Sequence, residues 1–301
     1  TSDRPVGADI PAPAMLGYSV QATDWPGFRG ADRRGVVKGH SFDESWLTPK
    51  ELWRVPVGDG WSSFAVVGPL AWTQEQQGGE EVVVCFDAAT GGRVWSHSDP
   101  VRFYNFMGGA GPRATPTYHE GKIYTLGATG WLNCFEAASG KLIWTKDTLA
   151  DAKVPNIEWG MAGSPLIFGD TVIVSPGGTD GNNVIAYDLE GGDKRWGAGA
   201  WIASYAAPQL ATIHGHEQLL IHHGNGMAAY DPVDGKVLWT NGWTTPTKIN
   251  VAQPTVYGDG SVMLSCGYGR GSILFDVEHS DGAWTVEERW RTIRMKSKLS
   301  S

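Results

Sequence analysis

The chain has little cysteine, little charge and no long apolar run. Its three cysteines, Cys85, Cys134 and Cys266, are an odd number with no CxxC spacing and no adjacent pair, so they form no metal-type motif. Cys85 and Cys134 fill the same slot in successive repeats. They read as small buried hydrophobes, a disulfide or a reactive thiol being the alternative. Charged residues make up 19%, below the usual quarter or so. The net charge of −8 argues against a broad phosphate-binding surface, because nucleic-acid affinity rests on clustered Lys and Arg. No apolar run approaches the roughly 18 residues of a membrane helix. The chain starts at Thr1 without a visible signal peptide, which reads as a processed or trimmed product. Helix signals are nearly absent; "DTLADAK" (147–153) supports one turn at most.

What is present is glycine, 41 residues, and tryptophan, 15 residues. Both recur in a phrase. "CFDAATGGRVW" (85–95), "CFEAASGKLIW" (134–144), "AYDLEGGDKRW" (186–196) and "AYDPVDGKVLW" (229–239) repeat one pattern, and a looser copy starts at "LFDVEHSDG" (274–282). The tryptophans that close the phrases are Trp53, Trp95, Trp144, Trp196, Trp239 and Trp290, separated by 42 to 52 residues. That is the size of a four-stranded propeller blade and longer than most helical repeats. Within a unit the period is two, with glycine-bearing turns between short β-branched and aromatic runs. An Asp or Glu opens each turn, at Asp87, Glu136, Asp188 and Asp231, where its side chain can accept a backbone N–H. A glycine four residues later supplies the positive φ of a turn plus bulge. These acids therefore need no catalytic role.

A second phrase opens each unit: "RATPT" (113–117), "AGSPL" (162–166), "YAAPQ" (205–209) and "VAQPT" (251–255). Proline suits the start of a strand, where no ladder N–H is lost. In a propeller each first strand lines the central channel, so residues near these prolines are candidates for its mouth. The set is Arg113, Glu158, Trp159, Tyr205, Asn250 and Lys298. The guanidinium of Arg113 can face an anionic ligand or a partner carboxylate; hydrogen bonds to blade carbonyls or an ion pair between blades are the structural alternative.

The repeated phrase resembles the tryptophan-docking motif of the quinoprotein-like (PQQ-like repeat) β-propellers, over about residues 24–301. "DWPGFRGADRRG" (24–35) followed by "ELWRVPVG" (51–58) looks like the leader of bacterial periplasmic members. The resemblance implies an all-β propeller of four-stranded antiparallel blades, with five complete blades here and seven or eight in a complete ring. Residues 1–22, rich in Pro and Ala, read as a flexible lead-in, and the propeller domain over 23–301 reads as broken off at its C-terminal end, where "RTIRMKSKLSS" (291–301) approaches another opening strand. The six phrase-closing tryptophans become blade-docking residues. The group includes non-catalytic scaffolds and alcohol dehydrogenases that use pyrroloquinoline quinone. In the dehydrogenases a tryptophan and a disulfide between adjacent cysteines sandwich the quinone, and calcium held by Glu, Asn and Asp polarises it. This sequence has no Cys-Cys pair, and Glu158 is the nearest candidate carboxylate.

The expectation is therefore a non-catalytic periplasmic or secreted scaffold that binds a protein or peptide at the channel mouth, with no catalytic residue, no metal and no cofactor. The alternative is a quinone-dependent alcohol or sugar dehydrogenase with pyrroloquinoline quinone and calcium. A glycan-binding module using Trp61, Trp131 and Trp201 is a third reading. Among the histidines, His214 and His216 fall in a hairpin turn, while His222 and His223 are consecutive on a strand and point to opposite faces. All four cannot converge on one metal, and they read as solvated or core residues. "MGGAG" (107–111) and "GYGRG" (267–271) precede no helix, so they read as turns rather than phosphate loops.

Overall fold

The computed structural model describes residues 10–11, 15, 18–37, 48 and 50–297. The chain is all-β, a β-propeller of four-stranded antiparallel blades, and divides into two units. Residues 1–146 and 158–164 form unit 1; residues 147–157 and 165–301 form unit 2.

Unit 1 holds two blades. The first is β1 (Ala65–Val67), β2 (Leu70–Gln77), β3 (Glu80–Asp87) and β4 (Arg93–Asp99). The second is β7 (Thr117–His119), β8 (Lys122–Leu126), β9 (Trp131–Glu136) and β10 (Leu142–Asp147), and a small hairpin of β5 (Tyr104–Asn105) and β6 (Gly109–Ala110) precedes it. Strand alternation sorts the side chains of β3. Val83 and Cys85 join Trp72, Tyr118, Ile123 and Phe135 in a core shared by the two blades. Val82, Val84 and Phe86 face the other way, against Val55 and Phe64. The leading segment protects two sheet edges that would otherwise expose unpaired backbone. Trp25 exchanges both backbone hydrogen bonds with Val66 of β1 at 2.7 Å, and the Pro26 carbonyl accepts from Tyr118 of β7 at 2.7 Å. Met15 is buried in the same core as Trp72.

Unit 2 begins with α1 (Thr148–Ala152), one short helix capped by the Asp147 carboxylate. Its three blades are β11 (Leu166–Phe168) to β14 (Lys194–Ala198), β15 (Gln209–Ile213) to β18 (Val237–Asn241), and β19 (Thr255–Tyr257) to β22 (Ala283–Thr292). Between the ends of these runs lie β12 (Thr171–Val174), β13 (Val184–Asp188), β16 (His216–His223), β17 (Gly226–Tyr230), β20 (Ser261–Cys266) and β21 (Gly271–Ser280). Leu166, Ile173 and Val184 pack on Leu219, Ile221 and Tyr230. Leu220, Ala229 and Trp239 pack on Leu264, Ile273 and Phe275.

The repeated phrase is a hairpin turn with a bulge. The third strand of a blade slips register against the fourth at the same place in four sheets: Cys85/Phe86, Ala186/Tyr187, Ala229/Tyr230 and Leu274/Phe275. The acid after the bulge closes the turn. Asp87 accepts the Ala89 and Thr90 N–H groups at 3.1 and 2.8 Å, and its carbonyl accepts from Gly91 at 2.8 Å. Glycine is required because the residue has φ +71°, a left-handed conformation that a side chain disfavours.

Two copies of the repeat depart from this pattern. Residues 50–58 form no strand, so Trp53 stands outside the sheets. In the last blade β21 and β22 run ten residues each and the turn between them moves to Asp281 and Gly282. Asp276, at the position of the turn acids, instead stays in the ladder opposite Glu287. Its carboxylate takes Ser261 Oγ at 2.5 Å and Arg289 Nε at 3.0 Å.

Candidate partner-binding face

After β4 the chain of unit 1 turns back as the β5–β6 hairpin, with Phe106 and Met107 at its tip. Asn105 builds that tip. Its Oδ1 accepts the N–H groups of Met107 and Gly108, both at 2.9 Å, and its Nδ2 donates to the Glu158 carbonyl at 3.1 Å. Arg113 locks the returning strand by donating to the carbonyls of Gly108 and Gly109, each at 3.1 Å, and to that of Gly111. The same guanidinium lies 4.4 Å from the centre of the Phe103 ring, a cation–π contact that holds it flat. A Cβ on Gly108 would come within 3.2 Å of Arg113 and 3.5 Å of Trp159, so backbone and side chains meet here at the closest approach. Trp61 donates its indole N–H to the Gly108 carbonyl at 2.8 Å.

The polar groups of this hairpin point inward, and its apolar side chains are left outside. Phe106 is 90% exposed, Met107 71%, Trp61 70% and Tyr104 57%. The Arg102 guanidinium sits 5.3 Å from the Tyr104 ring.

Three of the predicted mouth residues, Arg113, Glu158 and Trp159, thus come together beneath one hairpin. Glu158 contributes its backbone carbonyl while its side chain is exposed. Tyr205 and Asn250 meet in unit 2, where Tyr205 N–H donates to the Asn250 carbonyl at 2.9 Å. Asn250 is fully buried. Its Nδ2 donates to the His223 carbonyl at 2.7 Å and to Thr244 Oγ1 at 2.8 Å, and its Oδ1 accepts from Thr245 N–H at 3.3 Å and Cys266 Sγ at 3.4 Å. Both its donors and both its acceptor sites are used. Lys298 lies outside the described residues.

Three of the phrase-closing tryptophans, Trp53, Trp95 and Trp196, face glycines. A Cβ on Gly91 would lie 2.6 Å from the Trp53 ring, and one on Gly235 would lie 2.6 Å from Trp196. Gly140 lies against Trp95 in the same manner. The indole N–H of Trp53 donates to the Ala88 carbonyl at 3.0 Å and that of Trp95 to Ala137 at 2.9 Å. Trp144 leans on Tyr124, and Trp239 donates to Gln218 Oε1 at 2.7 Å. Trp290 is 39% exposed on β22.

The cysteines are free and buried. Burial raises the thiol pKa of Cys85 and pushes that of Cys266 up to about 12, which leaves both inert as nucleophiles. His222 and His223 are also buried. Desolvation depresses them to about 4 and about 3, so both are neutral at pH 7. Trp131 is half-buried, and the half-buried Trp201 stacks on His223 with ring centres 4.6 Å apart.

Two buried charged groups escaped the sequence reading. Glu81 of β3 accepts from Ala128 N–H and Thr129 Oγ1, both at 3.1 Å, and burial pushes its carboxyl up to about 7. Arg33 donates to the Ser164 carbonyl at 3.0 Å, and burial lowers its guanidinium to about 9. No spacing in the sequence distinguishes Arg33 from Arg34. The hairpin tip did leave a signal: Phe106 and Met107 are adjacent apolar residues in a glycine-rich stretch with no alternation to bury them.

Residues 79–296 match the family described as outer membrane protein assembly factor BamB. The chain belongs to that family. Two curated relatives of this BamB-family chain are quinohemoprotein alcohol dehydrogenases. The Pseudomonas putida enzyme ADH-IIG is 30% identical over 213 residues, 64% of this chain and 28% of that protein. The Comamonas testosteroni enzyme is 29% identical over 121 residues, 38% of this chain and 16% of that protein. The chain therefore spans under a third of the length of either. The crystal structure of the Comamonas enzyme superposes with a TM-score of 0.61 at 15% identity, over 88% of this chain and 49% of that one; this likeness concerns the fold.

A quinone held by calcium does not fit the described residues. Its adjacent cysteines are missing from the sequence, and Asn250 has no free ligating atom. Among the described residues no group of three or more His, Cys, Asp or Glu is arranged to hold a metal, whereas calcium takes six to eight oxygens. A cleft beside β2, lined by Gly58, Ser62, Thr73, Gln74 and Glu75, measures about 60 Å³. No helix among the described residues is long and apolar enough to cross a membrane.

Proposed function

We propose that this BamB-family chain is a non-catalytic scaffold of the cell envelope that binds an extended, apolar segment of a protein partner on the β5–β6 hairpin face. The carrying observation is the exposure of Tyr104, Phe106 and Met107 on a hairpin whose backbone is pinned by Asn105 and Arg113, with the exposed Trp61 bonded to its Gly108 carbonyl. Aromatic residues and Met are the side chains enriched in interface cores, and a pinned hairpin loses little entropy when it binds. The family description supplies the partner chemistry. Strands of outer-membrane barrels alternate apolar and polar side chains and carry aromatic girdles, so a strand not yet paired would offer such rings one apolar face.

The test is fluorescence anisotropy with a labelled ten-residue peptide of alternating aromatic and polar residues. The wild-type protein binds it saturably. Phe106→Ser with Met107→Ser weakens binding at least tenfold and leaves the thermal midpoint unchanged, because neither side chain is packed. Equal binding by the double variant, or none by the wild type, overturns the proposal. Dye reduction with alcohols after adding pyrroloquinoline quinone and calcium would overturn its non-catalytic part.

A further inference from the structure

Within unit 2, three histidines and a tryptophan gather where the last two blades pack. His216 opens β16, and His279, near the end of β21, has Trp284 as its partner across the ladder. The His279 ring is stacked on the Trp284 indole, centres 4.2 Å apart and planes at 20°. His216 stands nearly perpendicular to both, 4.8 Å from His279 at 78° and 5.5 Å from Trp284 at 84°. A ring nearly equidistant from two stacked rings lies beside the stack, not over a face. His279 therefore turns the edge of its ring, and not a face, toward His216.

Neither imidazole makes a hydrogen bond to the protein among the described residues, although His216 is exposed and His279 is half-buried. The third histidine is used differently. His214 Nδ1 pairs with Asp259 Oδ2 at 3.2 Å, while its Nε2 meets the Val277 carbonyl at 2.7 Å and Glu278 Oε2 at 3.8 Å. Both its nitrogens are committed, so it is not counted with the pair.

We propose that His216 and His279 form a two-imidazole site for a divalent transition-metal ion, with water in the remaining positions. Two imidazoles bound to one ion at about 2.0–2.1 Å hold their ring centres roughly 4.5–5 Å apart, the separation found here. Stacking on Trp284 fixes one ligand before the ion arrives. Only two protein ligands are present, consistent with the absence of any three-residue cluster among the described residues. The bound ion therefore exchanges readily, and its preference follows intrinsic affinity, Cu²⁺ above Ni²⁺ and Co²⁺. Ca²⁺ and Mg²⁺, which want oxygen, are refused.

Calorimetric titration of metal-free protein with Cu²⁺, together with electron paramagnetic resonance of the one-equivalent sample, tests this. The expected result is one ion per chain with two nitrogen ligands, Ni²⁺ binding more weakly and Ca²⁺ not at all. His216→Gln, or His279→Phe, which keeps a ring on Trp284, lowers Cu²⁺ affinity at least tenfold, while His214→Gln retains the two-nitrogen signal. Wild-type-like binding by His216→Gln and His279→Phe, or a wild-type spectrum with a single nitrogen, overturns the proposal. Unchanged circular dichroism of these variants separates lost ligation from lost folding.

Discussion

Replacing Gly140 with alanine tests the contact that joins the two blades of unit 1. Two costs are expected, and they can be measured apart. The residue has φ +72°, where an alanine costs about 1–2 kcal/mol. Its new methyl would also lie 2.7 Å from Trp95 Cγ and Cε3, closer than carbon atoms pack. The indole is buried and donates to the Ala137 carbonyl, so it cannot move without loss. Displacing it adds overpacking strain of about 1–3 kcal/mol and weakens a hydrogen bond worth about 1 kcal/mol. Gly121 is the control. It has φ +80° and no atom within 4 Å of a built Cβ, so Gly121→Ala carries the backbone cost alone. Urea denaturation followed by tryptophan fluorescence should place Gly140→Ala about 2–4 kcal/mol below Gly121→Ala at unchanged m-value. Adding Trp95→Leu to Gly140→Ala should cost less than the two single losses summed, because the clash is then relieved. Equal stability of the two alanine variants refutes the contact.

Asn250→Ala leaves the His223 carbonyl, the Thr244 hydroxyl and the Thr245 N–H without their partner in a buried site; a loss of about 3 kcal/mol is expected by denaturant titration. The pH dependence has two opposed parts. Glu81 holds its proton more tightly folded than unfolded, about 7 against 4.5. Its contribution is complete below pH 4.5 and is lost as pH rises through 7, about 3 kcal/mol in all. Glu81→Gln, which can accept from Ala128 and donate to Thr129, should remove that decline. His222 and His223 behave oppositely, because they are depressed from 6.5 to about 4 and about 3. Their contribution is present above pH 6.5 and is lost as pH falls toward 4, and His223→Phe, which keeps a ring on Trp201, should flatten the acid limb. A pH–stability curve unchanged by either substitution refutes the assignment.

The blades were legible because their turns are local. The acid of the phrase, its glycine and the bulge all lie within about six residues, so backbone geometry alone selects those residue types. The leading segment was not legible. Trp25 and Pro26 complete the edges of β1 and β7, pairings more than 40 residues distant that leave no periodic trace. Glu81 hid for a similar reason, since its donors lie 47 and 48 residues away. The mouth residues were half legible. The sequence put these residues at one channel mouth; the chain brings Arg113 close to Trp159 in unit 1 and joins Tyr205 to Asn250 in unit 2. The direction in which each side chain points depends on which carbonyls a loop turns toward it, and no residue pattern encodes that.

That direction bears on the choice between scaffold and enzyme. A site that binds a charged cofactor or stabilises a transition state keeps donors aimed at empty space, because stabilisation comes from groups already oriented before the reaction. Here the groups best suited to that task are turned onto the chain itself. Arg113 donates to three carbonyls of its own loop, and Asn250 spends both donors and both acceptor sites on neighbouring residues. The hairpin above Arg113 offers the reverse pattern, with its polar backbone satisfied and its aromatic rings exposed. Such a surface gains little from a small polar substrate and much from apolar area removed from water, at about 25 cal/mol per Å² before the costs of association. On the proposed reading the hairpin of unit 1 is an adhesive face, and Arg113 serves it by holding the hairpin in shape.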